Sequence, residues 1–130
     1  MREADDCERF IGLKLFMAMA ELGEEGLARQ IERHAELATY LRARIAETDW
    51  TLTNDSPLAV VCFTHPSIAT EAACRARADA IVARGRCWIS PLIREGHAPA
   101  LRACITNYAT TEADVDVLLE NLLPAGEGGA

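Results

Sequence analysis

Lysine is almost missing from this sequence. Lys14 is the one example, against twelve arginines and twenty carboxylates. The net charge is −7 and no Lys/Arg cluster stands free of acids, so a phosphate-backbone partner is not expected. None of the five cysteines (Cys7, Cys62, Cys74, Cys87 and Cys104) belongs to a Cys-x-x-Cys. Their odd number and wide spacing, with no histidine at ligand spacing, argue against a disulfide framework or a zinc site. The N-terminal Met-Arg-Glu-Ala-Asp-Asp lacks the apolar core of a signal peptide. The longest apolar stretch, Phe10 to Leu22, is interrupted by Gly12, Lys14 and Glu21 and is too short to span a bilayer. These absences describe a reduced, cytoplasmic protein with no membrane association. Gly-x-Gly-x-x-Gly, Walker and Gly-x-Ser-x-Gly sequences are not found, and no internal repeat is visible.

What is there is one domain's worth of chain. At 130 residues, half of them hydrophobic, it can bury roughly two-thirds of its unfolded surface around a single core. Asp5 and Asp6 can cap a first helix, about Cys7 to Leu22, that is apolar nearly all round and therefore expects cover on most sides. Gly23 suits its stop. A second helix, about Glu24 to Thr48, places Leu27, Ile31, Ala35, Ala38, Leu41 and Ile45 on one face. Glu25 and Arg29 form an i,i+4 pair on its outside.

The period then shortens. Trp50–Thr53 reads as a short edge strand, Asn54–Pro57 as a turn and Leu58–Thr64 as a central strand. Ser67 can cap a helix to Ala83 with Ile68, Ala72, Ala76 and Ala80 inward. Cys87–Ile93 and Ala100–Thr106 read as a hairpin around Arg94–His97. Thr111–Asp114 resembles a capping box opening a helix that turns Val115, Leu118, Leu119 and Leu122 to the core. The sum is an α+β two-layer sandwich. It has a mostly antiparallel sheet of three to four strands, helices on one face, and two long N-terminal helices ahead of it. Residues 1–123 form the domain, and the Gly-rich 124–130 a flexible tail.

Few side chains invite chemistry. His34 near the apolar helix face reads as a boundary histidine. His65 stands at a strand end, where sites occur, but before Pro66 a capping role is the simpler reading. His97 reads as a solvated turn residue. No cysteine has a paired base in sequence. Arg102 differs: Leu101, Ala103 and Ile105 alternate onto one face and send Arg102 to the other, inside an interior strand. A guanidinium there calls for a ligand carboxylate or phosphate, a structural ion pair or an interface partner, and its planar fork matches a carboxylate bidentately.

Arg9-Phe10-Ile11-Gly12-Leu13-Lys14-Leu15-Phe16, then Leu22-Gly23 and Gly26, resembles the segment entering the small domain of the group II pyridoxal-phosphate-dependent decarboxylases. That family includes the glutamate, aromatic amino-acid, histidine and diaminobutyrate decarboxylases. Leu58–Phe63 resembles the strand that follows. Leu101–Asn107, with Thr110 or Thr111 and then Asp114 and Asp116, resembles the closing strand and helix. Phe16 stands where the family usually has Trp, and Glu8 where a second arginine is common.

The resemblance covers about residues 9 to 122 and implies a fold-type-I homodimer. Its pyridoxal phosphate sits mainly on a large domain, whose cofactor lysine follows a histidine. This chain has no His-Lys pair, and Lys14 matches a structural small-domain position. No catalytic residue is therefore expected here, and no stable cofactor binding by this chain alone. Arg102 matches the arginine that binds the α-carboxylate of the amino-acid substrate. The implied partners are a large domain and a second copy of the enzyme. The alternatives are a stand-alone dimerisation or ligand-binding module, and the small domain of another fold-type-I enzyme such as an aminotransferase or cysteine desulfurase.

Overall fold

The computed structural model describes residues 3–122, with side chains from residue 11 onward. The expected tail at 124–130 lies outside the described residues. The elements run α1 (Glu3–Ala46), β1 (Thr51–Leu52), β2 (Val60–Thr64), a 3-10 turn (Pro66–Ile68), α2 (Glu71–Ala83), β3 (Ser90–Leu92), β4 (Ala100–Cys104) and α3 (Glu112–Leu122). The class is α+β, as expected. The two N-terminal helices are instead one long helix, in which Gly23 leaves helical geometry at φ 67° and ψ 176°. The break falls where the stop was placed, because only glycine enters that region without strain. The chain divides into two compact units, residues 1–33 and 34–130.

Within residues 1–33 the apolar surface that the sequence marks as needing cover stands exposed. Ile11, Leu13, Leu15, Phe16, Met17, Met19 and Leu22 are all exposed, Phe16 to 69%. A lone helix has no second layer to cover an all-round apolar surface. The Glu25–Arg29 pair forms at 3.7 Å, both side chains largely in solvent.

Residues 34–130 carry the sheet, in the order β1-β2-β4-β3 with every pair antiparallel. Val61, Phe63, Leu101 and Ala103 share one face, where they pack in a core with Leu37, Leu41 and Ile45 of α1, Ile81 of α2, and Val115, Leu118, Leu119 and Leu122 of α3. The second helix's face is thus read correctly from Ala38 onward, but Ile31 is 61% exposed. The Ile105 amide donates to the Ala59 carbonyl, so alternate residues of β4 aim their main chain at β2, and Ala100 and Arg102 aim theirs at β3. Beyond β1, the Asn54 side chain continues the ladder. It accepts from the Cys62 amide at 2.8 Å and donates to the Val60 carbonyl at 2.9 Å.

Three boundaries differ from the sequence reading. The helix expected from Ser67 begins after Thr70, whose hydroxyl accepts from the Ala73 amide. That rotates the buried stripe to Cys74, Ala78 and Ile81 and leaves Ala72, Ala76 and Ala80 exposed. The strand expected over Cys87–Ile93 pairs only at Ser90–Leu92. Its Pro91 is tolerable because β3 is an edge strand. Opposite it, the strand expected to reach Thr106 stops at Cys104. Half of the expected capping box forms: the Asp114 carboxylate accepts from both the amide and the hydroxyl of Thr111 at 2.8 Å, while the Asp114 amide donates to the Thr111 carbonyl and not to the hydroxyl. The bonds from Thr111, its amide's first, hold the Asp114 carboxyl below its usual range.

Candidate functional site

Arg102 lies on the sheet face away from the helices, as its alternation required. β4 is an interior strand, so Arg102 is flanked by Cys62 on β2 and Ser90 on β3. The expectation of a desolvated charge is not met: Arg102 is exposed. Among the described residues no carboxylate lies within ion-pairing distance of it. Its orientation comes from β3. Nε donates to Ser90 Oγ at 3.2 Å, and Ser90 Oγ is 3.5 Å from the Arg102 carbonyl. Fixing Nε this way leaves both terminal nitrogens of the fork without an acceptor among the described residues.

Three arginines act electrostatically on Cys62, the β2 neighbour of Arg102. Burial pushes the Cys62 thiol up, while Arg102, Arg94 and Arg42 pull it the other way. Arg42 is anchored below by donating to the Leu58 and Val60 carbonyls. Arg94 lies two residues beyond the end of β3. The exposed Arg102 fork suits an anion. Cys62, Cys74, Cys87 and Cys104 are free thiols, and Cys74 is pushed up by burial as well.

The histidines fall as their bland readings had them. His34 is half-buried and reaches the Asn107 carbonyl at 3.2 Å. His97 is exposed in the β3–β4 turn. His65 caps the 3-10 turn by accepting from the Ser67 amide. Sequence reasoning missed two features. Ser90 has no signal beyond its register opposite Arg102. A cleft of about 390 Å³ opens where residues 86–89 diverge from the end of β4, lined by Leu41, Arg86, Trp88, Thr106, Asn107 and Leu118 among others.

The residues present do not fit a covalently held pyridoxal phosphate. The cleft has no lysine in its lining, and Lys14 is solvent-exposed on the helix of residues 1–33. No helix of the described residues is long and apolar enough to cross a membrane.

No known family model and no curated protein sequence matches the chain. Solved structures do. Mouse CSAD in apo form matches with a TM-score of 0.69 and 25% identity, over 85% of this chain and 26% of its own. The glutamate decarboxylase domain of a Vibrio parahaemolyticus diaminobutyrate-pyruvate transaminase and L-2,4-diaminobutyrate decarboxylase matches at 0.69 and 24%, over 85% and 24%. Oryza sativa TDC, solved with PLP and tryptamine, matches at 0.69 and 20%, over 85% and 25%. The chain thus spans about a quarter of the proteins it resembles. Its fold is that of one part of a group II pyridoxal-phosphate decarboxylase, consistent with the C-terminal small domain of such an enzyme.

Proposed function

We propose that the chain is the small-domain portion of a pyridoxal-phosphate-dependent amino-acid decarboxylase, present as a fragment or as a separate subunit. In this reading Arg102 receives the α-carboxylate of the substrate. The cofactor, its lysine and the acid–base chemistry belong to a large domain outside this chain. The observation that carries the reading is Arg102 itself. Its guanidinium stands exposed on an interior strand, held by Ser90 through Nε, with no carboxylate among the described residues at ion-pairing distance. A structural ion pair would have supplied one. A bidentate grip on the carboxylate would set the angle of the Cα–carboxylate bond to the cofactor plane, so the contribution is orientation.

The exposed apolar side chains of residues 11–22 supply the second half of the reading. A surface of that kind is a docking face, and the large domain is its occupant. Association with a further copy of the enzyme would bury the rest.

The test pairs this chain with a large domain carrying the cofactor lysine, covalently or by co-expression. Arg102→Ala should lower kcat/KM for the amino acid by about 10- to 100-fold, the worth of one charged hydrogen-bonded contact. The affinity for pyridoxal phosphate should stay unchanged. Equal loss of both would refute the assignment. The chain alone should show no decarboxylase turnover with added cofactor and amino acids. Turnover through Lys14 would refute it too.

A further inference from the structure

A second constellation, unconnected with Arg102, forms where the end of α1 leads into β1 and β2 gives way to the 3-10 turn. The Ser67 amide donates to His65 Nδ1 at 3.1 Å. An amide can only donate, so Nδ1 of the neutral ring is an acceptor and the proton resides on Nε2. Nε2 then donates to Asp49 Oδ2 at 2.9 Å, and the Ser67 hydroxyl donates to Nδ1 at 2.7 Å. One tautomer is compatible with all three, the amide and the hydroxyl sharing the single lone pair of Nδ1. The Trp50 ring lies beside the imidazole, centroids 5.0 Å apart and tilted by 33°. The His65 side chain is 22% exposed, while Asp49 and Ser67 face solvent.

Capping the turn needs only the amide contact. The hydroxyl and the carboxylate are additional, and they complete a nucleophile, a base and a group that orients the base. We propose that Ser67 is a reactive surface nucleophile, with His65 as its base and Asp49 holding the imidazole, and that its substrates are activated acyl donors of the aryl-ester class.

In the reaction Ser67 Oγ bonds to the ester carbonyl carbon as its proton passes to His65 Nδ1. Collapse breaks the carbon–aryloxy bond, and the imidazolium returns the proton to the departing aryloxide. The products are an acylated Ser67 and a phenol. Water, deprotonated by the same imidazole, releases the carboxylic acid and regenerates the serine. The nearest main-chain donors are committed within the turn, Ile68 N–H to the His65 carbonyl and Ala69 N–H to the Pro66 carbonyl. They are not free to hold an oxyanion. This limits the donors to those with good leaving groups and makes acylation of the protein, with slow release, the outcome.

The test treats the full chain with p-nitrophenyl acetate and maps acylated peptides by mass spectrometry. Ser67 should acylate about 100-fold faster than Ser56 and Ser90, the usual contribution of a positioned base. His65→Gln keeps a side-chain acceptor for the Ser67 amide but removes the base, so Ser67 should fall to the rate of the other two serines with an unchanged circular dichroism spectrum. Asp49→Asn should give a smaller loss. Equal acylation of the three serines in the native chain would overturn the proposal. So would Ser67 acylation that survives His65→Gln, and either result would leave His65 a turn cap alone.

Discussion

Arg102 gains its interest from the serine opposite it on the neighbouring strand. Ser90 constrains Nε, and its removal should free the guanidinium to rotate without removing its charge. In the assembled enzyme proposed above, Ser90→Ala is therefore expected to raise KM by a few-fold, about 1 kcal/mol or less. Arg102→Ala should do far more, and the KM-against-kcat split of the two variants checks the ordering. The face that Arg102 occupies was legible in the period-two alternation of Leu101, Ala103 and Ile105. Its exposure was not, because a strand pattern does not reveal whether anything lies across the second face. Asp114 makes a prediction of a different kind. Its folded carboxyl is held below 3.8 by the Thr111 amide and hydroxyl. The group thus contributes stability that is present above that value and is lost as pH falls through the lower folded one. Asp114→Asn should flatten this part of the acid denaturation profile, measured by urea unfolding at a series of pH values below 4.

At the scale of elements, legibility followed contrast in hydropathy. α3 was read residue by residue because Val115, Leu118, Leu119 and Leu122 stand out against charged neighbours. α2 was misread because its candidate faces are mostly alanine, and alanine is equally at home inside or outside. Its capping residue decided the matter. Thr70→Ala should cost about 1 kcal/mol of stability, and Thr70→Ser should cost little, in paired denaturant titrations. The break in α1 gives the converse case. Alanine at the geometry of Gly23 costs about 1–3 kcal/mol, and nothing lies within 4 Å of the Cβ it would add. Gly23→Ala should therefore restore helical geometry at that residue and deepen the far-ultraviolet helical signal. The cleft was invisible to any local pattern: it exists because residues 87–89, expected to belong to the strand, do not pair in the sheet.

At the scale of the whole molecule, residues 34–122 hold a core of their own, with Phe63 fully buried in a T-shaped contact with Trp50. Phe63→Ala should cost about 3–5 kcal/mol and unfold a domain of this size or nearly so, as a melting experiment would show. Residues 11–22 hold no core of their own. Replacing Phe16 and Met17 by Gln should leave the melting of residues 34–130 unchanged and abolish association with the large domain, as read by sedimentation. An unchanged sedimentation profile would remove that segment from the docking surface. The way in which such a chain can fail is set by its sheet margins. Pro91 lies opposite Leu101, whose main chain turns toward β2, so the position where Pro91 lacks an N–H is on the outer rim of β3. The other rim is a two-residue strand with an asparagine side chain occupying the next ladder position. Neither rim offers a growing cross-β template a run of free donors. Surplus protein should accordingly gather through its exposed helix surface into amorphous, redissolvable clumps, with little tendency to seed amyloid.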